Sequence, residues 1–289
     1  MSDYSMDTQG QLTSSSSSAS TPSTNWSLYA FIALTFVFFY LKYSSDMNLY
    51  DKLDKIGLSS MLVFKNSIYY FLIYFITIFT LQISASTIQL NGTCPSNESN
   101  NFMNAFLYCF GPWVFIFLAM VIILIYFPFV KKAFSDVIGY AIVSKNMNII
   151  FSKALYSSQE LKERVGNIDN TKEKEEVMLA DEAIMKIVQN KSVFVNQINL
   201  QNFSQFWDSL KPLMKEDGDD LKKKLFVEVL KKDNWGELFW YWYTGIFVCF
   251  VVAYNVSVKS CKESVEQLKK DFSTDVPLPN SGKPKQVYS

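Results

Sequence analysis

Cys94 and Cys261 are the two side chains in this sequence whose placement could make a covalent link. Cys94 sits in NGTCPSNESNN (91–101), between two apolar runs, and Cys261 lies just beyond the last one. On one oxidising face of a membrane the two could bridge, tying that loop to the end of the chain's last apolar run. Cys94 with Cys109 is a second option, and free thiols throughout is a third. Cys249 is in the middle of an apolar run and reads as a small apolar filler. There is no CxxC pair and no histidine, so no metal is expected.

Other polar clusters read as solvated structure. EDGDD (216–220) resembles a calcium loop only superficially, because its ligand spacing is wrong. KEKEE (172–176) suits the first turns of a helix in water. Asn170 with Glu173 resembles a capping box there. Of 27 basic residues only Arg164 is an arginine, so bidentate anion clamps are nearly lacking. No nucleophile–base pair can be assembled, so no catalytic residue, no cofactor and no enzymatic activity are expected. A net charge of zero gives no general pull on nucleic acid.

The strongest feature is aromatic. FWYWY (239–243) follows Trp235 closely. Trp235, Phe239, Trp240, Tyr241, Trp242 and Tyr243 are therefore the candidates for membrane-interface or partner contacts. Five consecutive aromatics encircle a helix, so some of them face protein rather than lipid.

These residues are positioned by four apolar runs. Residues 26–43, 68–90, 102–130 and 236–258 are each long enough to cross a hydrocarbon core of about 30 Å at about 1.5 Å per residue. Gly111-Pro112 is expected to kink or divide the third run. Charges stay out of the runs, with Lys42 and Glu237 only at their edges, which argues against transport of charged substrates.

Around the spans, residues 1–25 form a Ser/Thr-rich segment too polar to order itself. Near 46–57 a short amphipathic helix is expected on the membrane surface, with packing on the protein's own polar domain as the other option. Residues 131–235 form a mostly helical extramembrane domain, in which SVFVNQINL (192–200) alternates loosely and allows a strand. LKKKLFVEVLKK (221–232) is amphipathic and could run straight into the fourth span. Residues 259–289 are a mixed-charge tail. The fold class is thus an all-α integral membrane protein, with four transmembrane helices and a helical domain between spans three and four.

Orientation follows lysine and arginine near the membrane. The 131–235 segment holds 17 of them and the 91–101 loop none, which puts the domain on the cytosolic side and the N-terminus outside or in a lumen. Six lysines in the C-terminal tail run against this arrangement. The loop sequons at Asn91 and Asn97 lie close to the bilayer, which argues against their use.

The functional expectation is a non-enzymatic structural protein that scaffolds a larger assembly at a membrane. Its partners would be the lipid bilayer and other protein subunits. Excess Lys, Asn, Ile, Phe and Tyr fits an AT-biased large DNA virus or a protist, so a virion inner membrane beneath a capsid is the specific setting expected. An accessory subunit of an organelle complex, such as a respiratory assembly, and a channel or carrier for a neutral solute are the alternatives.

Overall fold

Long runs of Phe, Ile, Leu and Tyr without charges form helices that dominate the architecture. The computed structural model describes residues 25–52, 60–93, 98–166, 171–215 and 218–258. Helix α1 is Asn25–Asp46, followed by a 3-10 turn at Met47–Lys52, and α2 is Ser60–Thr93. Helix α3, Glu98–Pro112, continues through a π-helical stretch, Trp113–Leu118, into α4, Ala119–Tyr126. Helix α5 is Pro128–Phe134, joined by a π-helical turn, Ser135–Gly139, to α6, Tyr140–Ala154. Helices α7, Ser158–Gly166, α8, Thr171–Gln189, α9, Lys191–Gln197, and α10, Phe203–Leu210, complete the domain. Helix α11 is Asp219–Val258, 40 residues without a break.

Among the described residues there is no strand, only an isolated bridge between Leu155 and Met214. Four helical segments are long and apolar enough to cross a membrane: Trp26–Asp51, Met61–Thr93, Asn100–Tyr126 and Asp219–Val258. They alternate in direction. α1 ends and α2 begins beside the polar domain, where Leu49 and Val63 join its core. At the far end, Asn101 Nδ2 donates to Asn91 Oδ1 at 3.0 Å and Gln89 Nε2 to Ser257 Oγ at 3.3 Å.

Several expectations change. Gly111-Pro112 does not divide the third span. Pro112 keeps helical angles (φ −61°, ψ −40°), and the lost backbone donor is absorbed by the π-helical stretch that follows. The break falls instead at Phe127 (φ −122°, ψ 74°), because Pro128 disfavours the helical region for the residue before it. Of the amphipathic segment near 46–57, residues 47–52 form a 3-10 turn rather than an α-helix, and Leu49, fully buried in the domain core, follows the second option, packing on the protein's own polar domain. Residues 53–59 lie outside the described residues. SVFVNQINL is not a strand: Phe194, Val195 and Ile198 meet helical spacing, and residues 191–197 are helical. The 221–232 segment, by contrast, runs straight into the fourth apolar run as expected, as one helix.

Asn170 lies outside the described residues, but a reciprocal capping box is present at the start of α7. Ser157 N donates to Glu160 Oε2 at 2.7 Å, and Glu160 N to Ser157 Oγ at 3.2 Å.

Two apolar cores result. The core of the polar domain gathers Leu49, Met147, Phe203, Trp207, Phe226 and Leu230. The bundle core is aromatic: Tyr241 stacks on Phe38 (5.8 Å between centroids, 20°) and meets Phe39 and Phe117 edge-on. Two glycines allow α11 and the π-helical turn to touch. A Cβ on Gly236 would lie 2.7 Å from Ser135 Cα, and one on Gly139 would enter the Lys232 carbonyl.

Two tests follow from this packing. Gly236→Ala should lower the unfolding temperature in detergent, at a cost of about 1–3 kcal/mol for overpacking. Gly111→Ala, where a Cβ meets nothing within 4 Å, should leave it unchanged or raise it. Separately, the Ser157 backbone N–H and hydroxyl, then Lys215, hold the Glu160 carboxyl below its usual range. The support this gives α7 is therefore full above the ordinary glutamate pKa of about 4.3 and is lost as pH falls through the folded value. Amide hydrogen exchange across 158–166 should accelerate over that acidic window in the native protein and not in Glu160→Gln.

Candidate functional site

Helix α11 passes from one apolar core into the other, and between them it carries KDNWGE (232–237). Leu221 to Leu230 pack in the core of the polar domain and Leu238 to Val256 in the bundle. The intervening Lys232, Asn234 and Glu237 are buried. A helix has no face on which to hide charges at such a waist, so neighbouring helices must supply partners.

They do so at one level. Lys42, near the end of α1, is 4% exposed, and Glu237 is 6% exposed. Lys42 Nζ donates to Asp46 Oδ2 at 3.0 Å and to Asn234 Oδ1 at 2.6 Å, and lies 3.6 Å from Glu237 Oε2. Lys131 Nζ, from α5, donates to the same Glu237 oxygen at 2.7 Å. Asp46 Oδ1 accepts from Asn66 Nδ2 of α2 at 3.2 Å, and Asn66 also donates to Ser45. The chain Asn66–Asp46–Lys42–Glu237–Lys131 thus crosses α2, α1, α11 and α5. Two ammonium and two carboxylate groups cancel in charge, as burial requires.

A second tier lies on the domain side. Lys232 Nζ donates to Asp136 Oδ1 and to the Val195 carbonyl, both at 3.3 Å. Ser135 Oγ donates to Asp233 Oδ1 at 3.2 Å, and Asn196 Nδ2 to the Asp136 carbonyl at 2.9 Å. These bonds fasten the π-helical turn and α9 to α11. Chemically, each ion in the layer is committed to a partner, so the arrangement fixes helix register rather than presenting a free acid or base.

Two concavities flank this frame. One, of about 300 Å³, lies between α1 and α11 beside Asn234. The other, of about 450 Å³, is an apolar groove between α6, α8 and α9, lined by Phe151, Ile184, Met185, Val188 and Phe194.

The sequence candidates distribute unevenly. Cys94 and Cys261 lie outside the described residues. Cys109 and Cys249 are free and buried, with Cys109 Sγ 3.5 Å from Ser86 Oγ and Cys249 Sγ 3.5 Å from Gln82 Oε1. Tyr241 is inside the bundle's own core and touches no surface. Trp240 Nε1 donates to the Val130 carbonyl at 2.9 Å, and Trp242 meets Phe36 edge-on at 4.5 Å. Trp235 and Phe239 are half-buried beside them, and Tyr243 faces outward. The aromatic cluster therefore serves the protein's own packing first, and Tyr243 is its outward member.

Sequence reasoning missed the polar layer. Its signal was a charge at the end of the first span, one at the start of the fourth and one after the third. No family model matches the chain, and neither curated proteins nor solved structures give a match.

Removing one member of the layer strands the others in a low-dielectric interior. Lys42→Met should cost about 3–5 kcal/mol in chemical unfolding of the detergent-solubilised chain. Glu237→Gln should also destabilise it. The double variant should cost less than the two singles together, by a coupling of about 0.5–3 kcal/mol. Simple additivity would show that the pair does not interact.

Proposed function

We propose that the chain is an integral membrane protein that holds a protein assembly against the bilayer through its 131–235 domain. The observation that carries this reading is the apolar groove between α6, α8 and α9. Met185 and Val188 at its rim are exposed, and so are Met178, Leu179 and Val193 nearby. Exposed apolar side chains gathered at a groove on a domain outside the spans mark a surface that another protein covers. Its helical walls suit an amphipathic helix laid in the groove, and its methionines adapt to the incoming shape. The paired polar layer supports the same reading, because it clamps the domain to the bundle and lets a load on one be borne by the other.

The setting that the composition favours is a virion membrane beneath a capsid, with the domain on the cytosolic side and the N-terminus opposite. An accessory role in an organelle complex uses the same surface, and the identity of the bound subunits separates the two.

The test is purification from the native source in mild detergent, followed by mass spectrometry of the associated proteins. Capsid subunits are the expected company; respiratory subunits would move the protein to the second setting. Met185→Lys combined with Val188→Lys should abolish the association while leaving the unfolding temperature unchanged, since both side chains are exposed. A chain that purifies alone, or a partner set indifferent to the double variant, would overturn the proposal.

A further inference from the structure

The smaller concavity opens between α1 and α11 where apolar surface gives way to the buried polar layer. Phe36, Phe39 and Tyr40 of α1 and Trp235 of α11 form its wall, and Asn234 and Lys231 stand at its polar end. Tyr40 is 74% exposed, so the cleft opens onto whatever surrounds the bundle.

Asn234 is the telling residue. Its Oδ1 accepts from Lys42, and an ammonium can only donate, so this contact fixes which way the amide is turned. The Nδ2 donor is then left buried with no acceptor among the described residues, although the residue is only 6% exposed. Buried polar groups are nearly always partnered, so such a donor points to an acceptor brought from outside. Lys231 adds a cation at the same end. Its contact with Glu228 Oε1, at 2.8 Å, uses one of three N–H groups.

We propose that this cleft binds one glycerophospholipid. Its phosphate or ester oxygens accept from Lys231 and, once the side chains covering it move aside, from Asn234 Nδ2, and its glycerol and upper acyl chain lie against Phe36, Phe39, Tyr40 and Trp235. Three features select this occupant. The Asn234 amide N–H and the Lys231 ammonium only donate, and the Tyr43 hydroxyl on the same lining can donate as well, so a ligand that brings oxygens satisfies all three. The wall is aromatic and open on the bundle's outer side. The donors sit at the edge of the apolar bundle, the level at which aromatic side chains meet lipid headgroups. A volume of about 300 Å³ is at the small end of ligand sites, so the cleft takes the headgroup-proximal part and leaves the acyl tails outside.

The inference rests on the reading that the four helices lie in a bilayer, and flotation of the full chain with vesicles after alkaline carbonate tests that reading separately. For the cleft itself, the full chain is reconstituted with phosphatidylglycerol bearing a diazirine at the top of one acyl chain. Cross-linked peptides are then mapped, and retained lipid is counted by native mass spectrometry. Asn234→Asp keeps an oxygen for Lys42 and replaces the free donor with an acceptor; Lys231→Gln removes the cation at a part-exposed position. Cross-links should concentrate on peptides containing Phe36–Tyr43 and Lys231–Leu238. Retained lipid should fall about tenfold in each variant, the scale of one lost charge-assisted hydrogen bond. A chain that floats with vesicles but cross-links evenly along all four spans, or retains lipid equally in both variants, sinks this inference alone. A chain that does not float overturns the bilayer reading as well.

Discussion

A charged side chain that leaves water must find its counter-ion at the place where it stops, and that requirement organises this molecule. Helix α11 carries Glu237 into an interior where α1 delivers Lys42 and α5 delivers Lys131. The three charges come from segments almost two hundred residues apart. They meet only when α1 and α11 are side by side at one axial setting. A slip of one helical turn, about 5.4 Å, would part Lys42 from Asn234 and leave Glu237 facing the apolar ring of Tyr241. Apolar packing tolerates small sliding of this kind far better than ion pairs do, so the layer supplies the specificity that the aromatic core lacks.

The same layer explains why the two cores stay distinct. The core of the polar domain packs Leu, Met, Phe and Trp of several short helices against one end of α11, while the bundle core is dominated by aromatic rings on the long helices. Between them, the π-helical turn at Ser135–Gly139 brings backbone against backbone through Gly236 and Gly139, with no side chain intervening. Close approach and ionic pairing thus act on the same few residues of α11. Sequence changes within either core are insulated from the other by this seam.

Much of the helical content was legible because apolar runs report on themselves: each residue's preference for a non-aqueous environment needs no knowledge of its neighbours in space. The four long helices follow from that. What was not legible depends on contacts between distant segments. The second apolar run starts at residue 68, yet α2 begins at Ser60, and Asn66 in that added stretch holds Ser45 and Asp46. In FWYWY no periodicity distinguishes the inward ring, and only the packing of α1, α2 and the π-helical stretch Trp113–Leu118 against α11 selects Tyr241. The loose alternation of 192–200 gave way to helical spacing once α6 offered a surface for Phe194. The candidate site was the least legible of all, since a lysine at the edge of one run and a glutamate at the edge of another carry no sign that they are partners.

An unbroken rod also has mechanical consequences. At 40 residues α11 is about 60 Å long, twice the thickness of a hydrocarbon core. Its lower half is gripped by the bundle and its upper half is the keel of the domain. Helices in bilayers adjust their tilt to the thickness around them. Without a hinge along α11, a change of tilt is not absorbed at the waist but is delivered, as by a lever arm, to the far end. On the proposed reading that the bundle lies in a bilayer, the height of the polar domain above the surface is then set by the surrounding lipid.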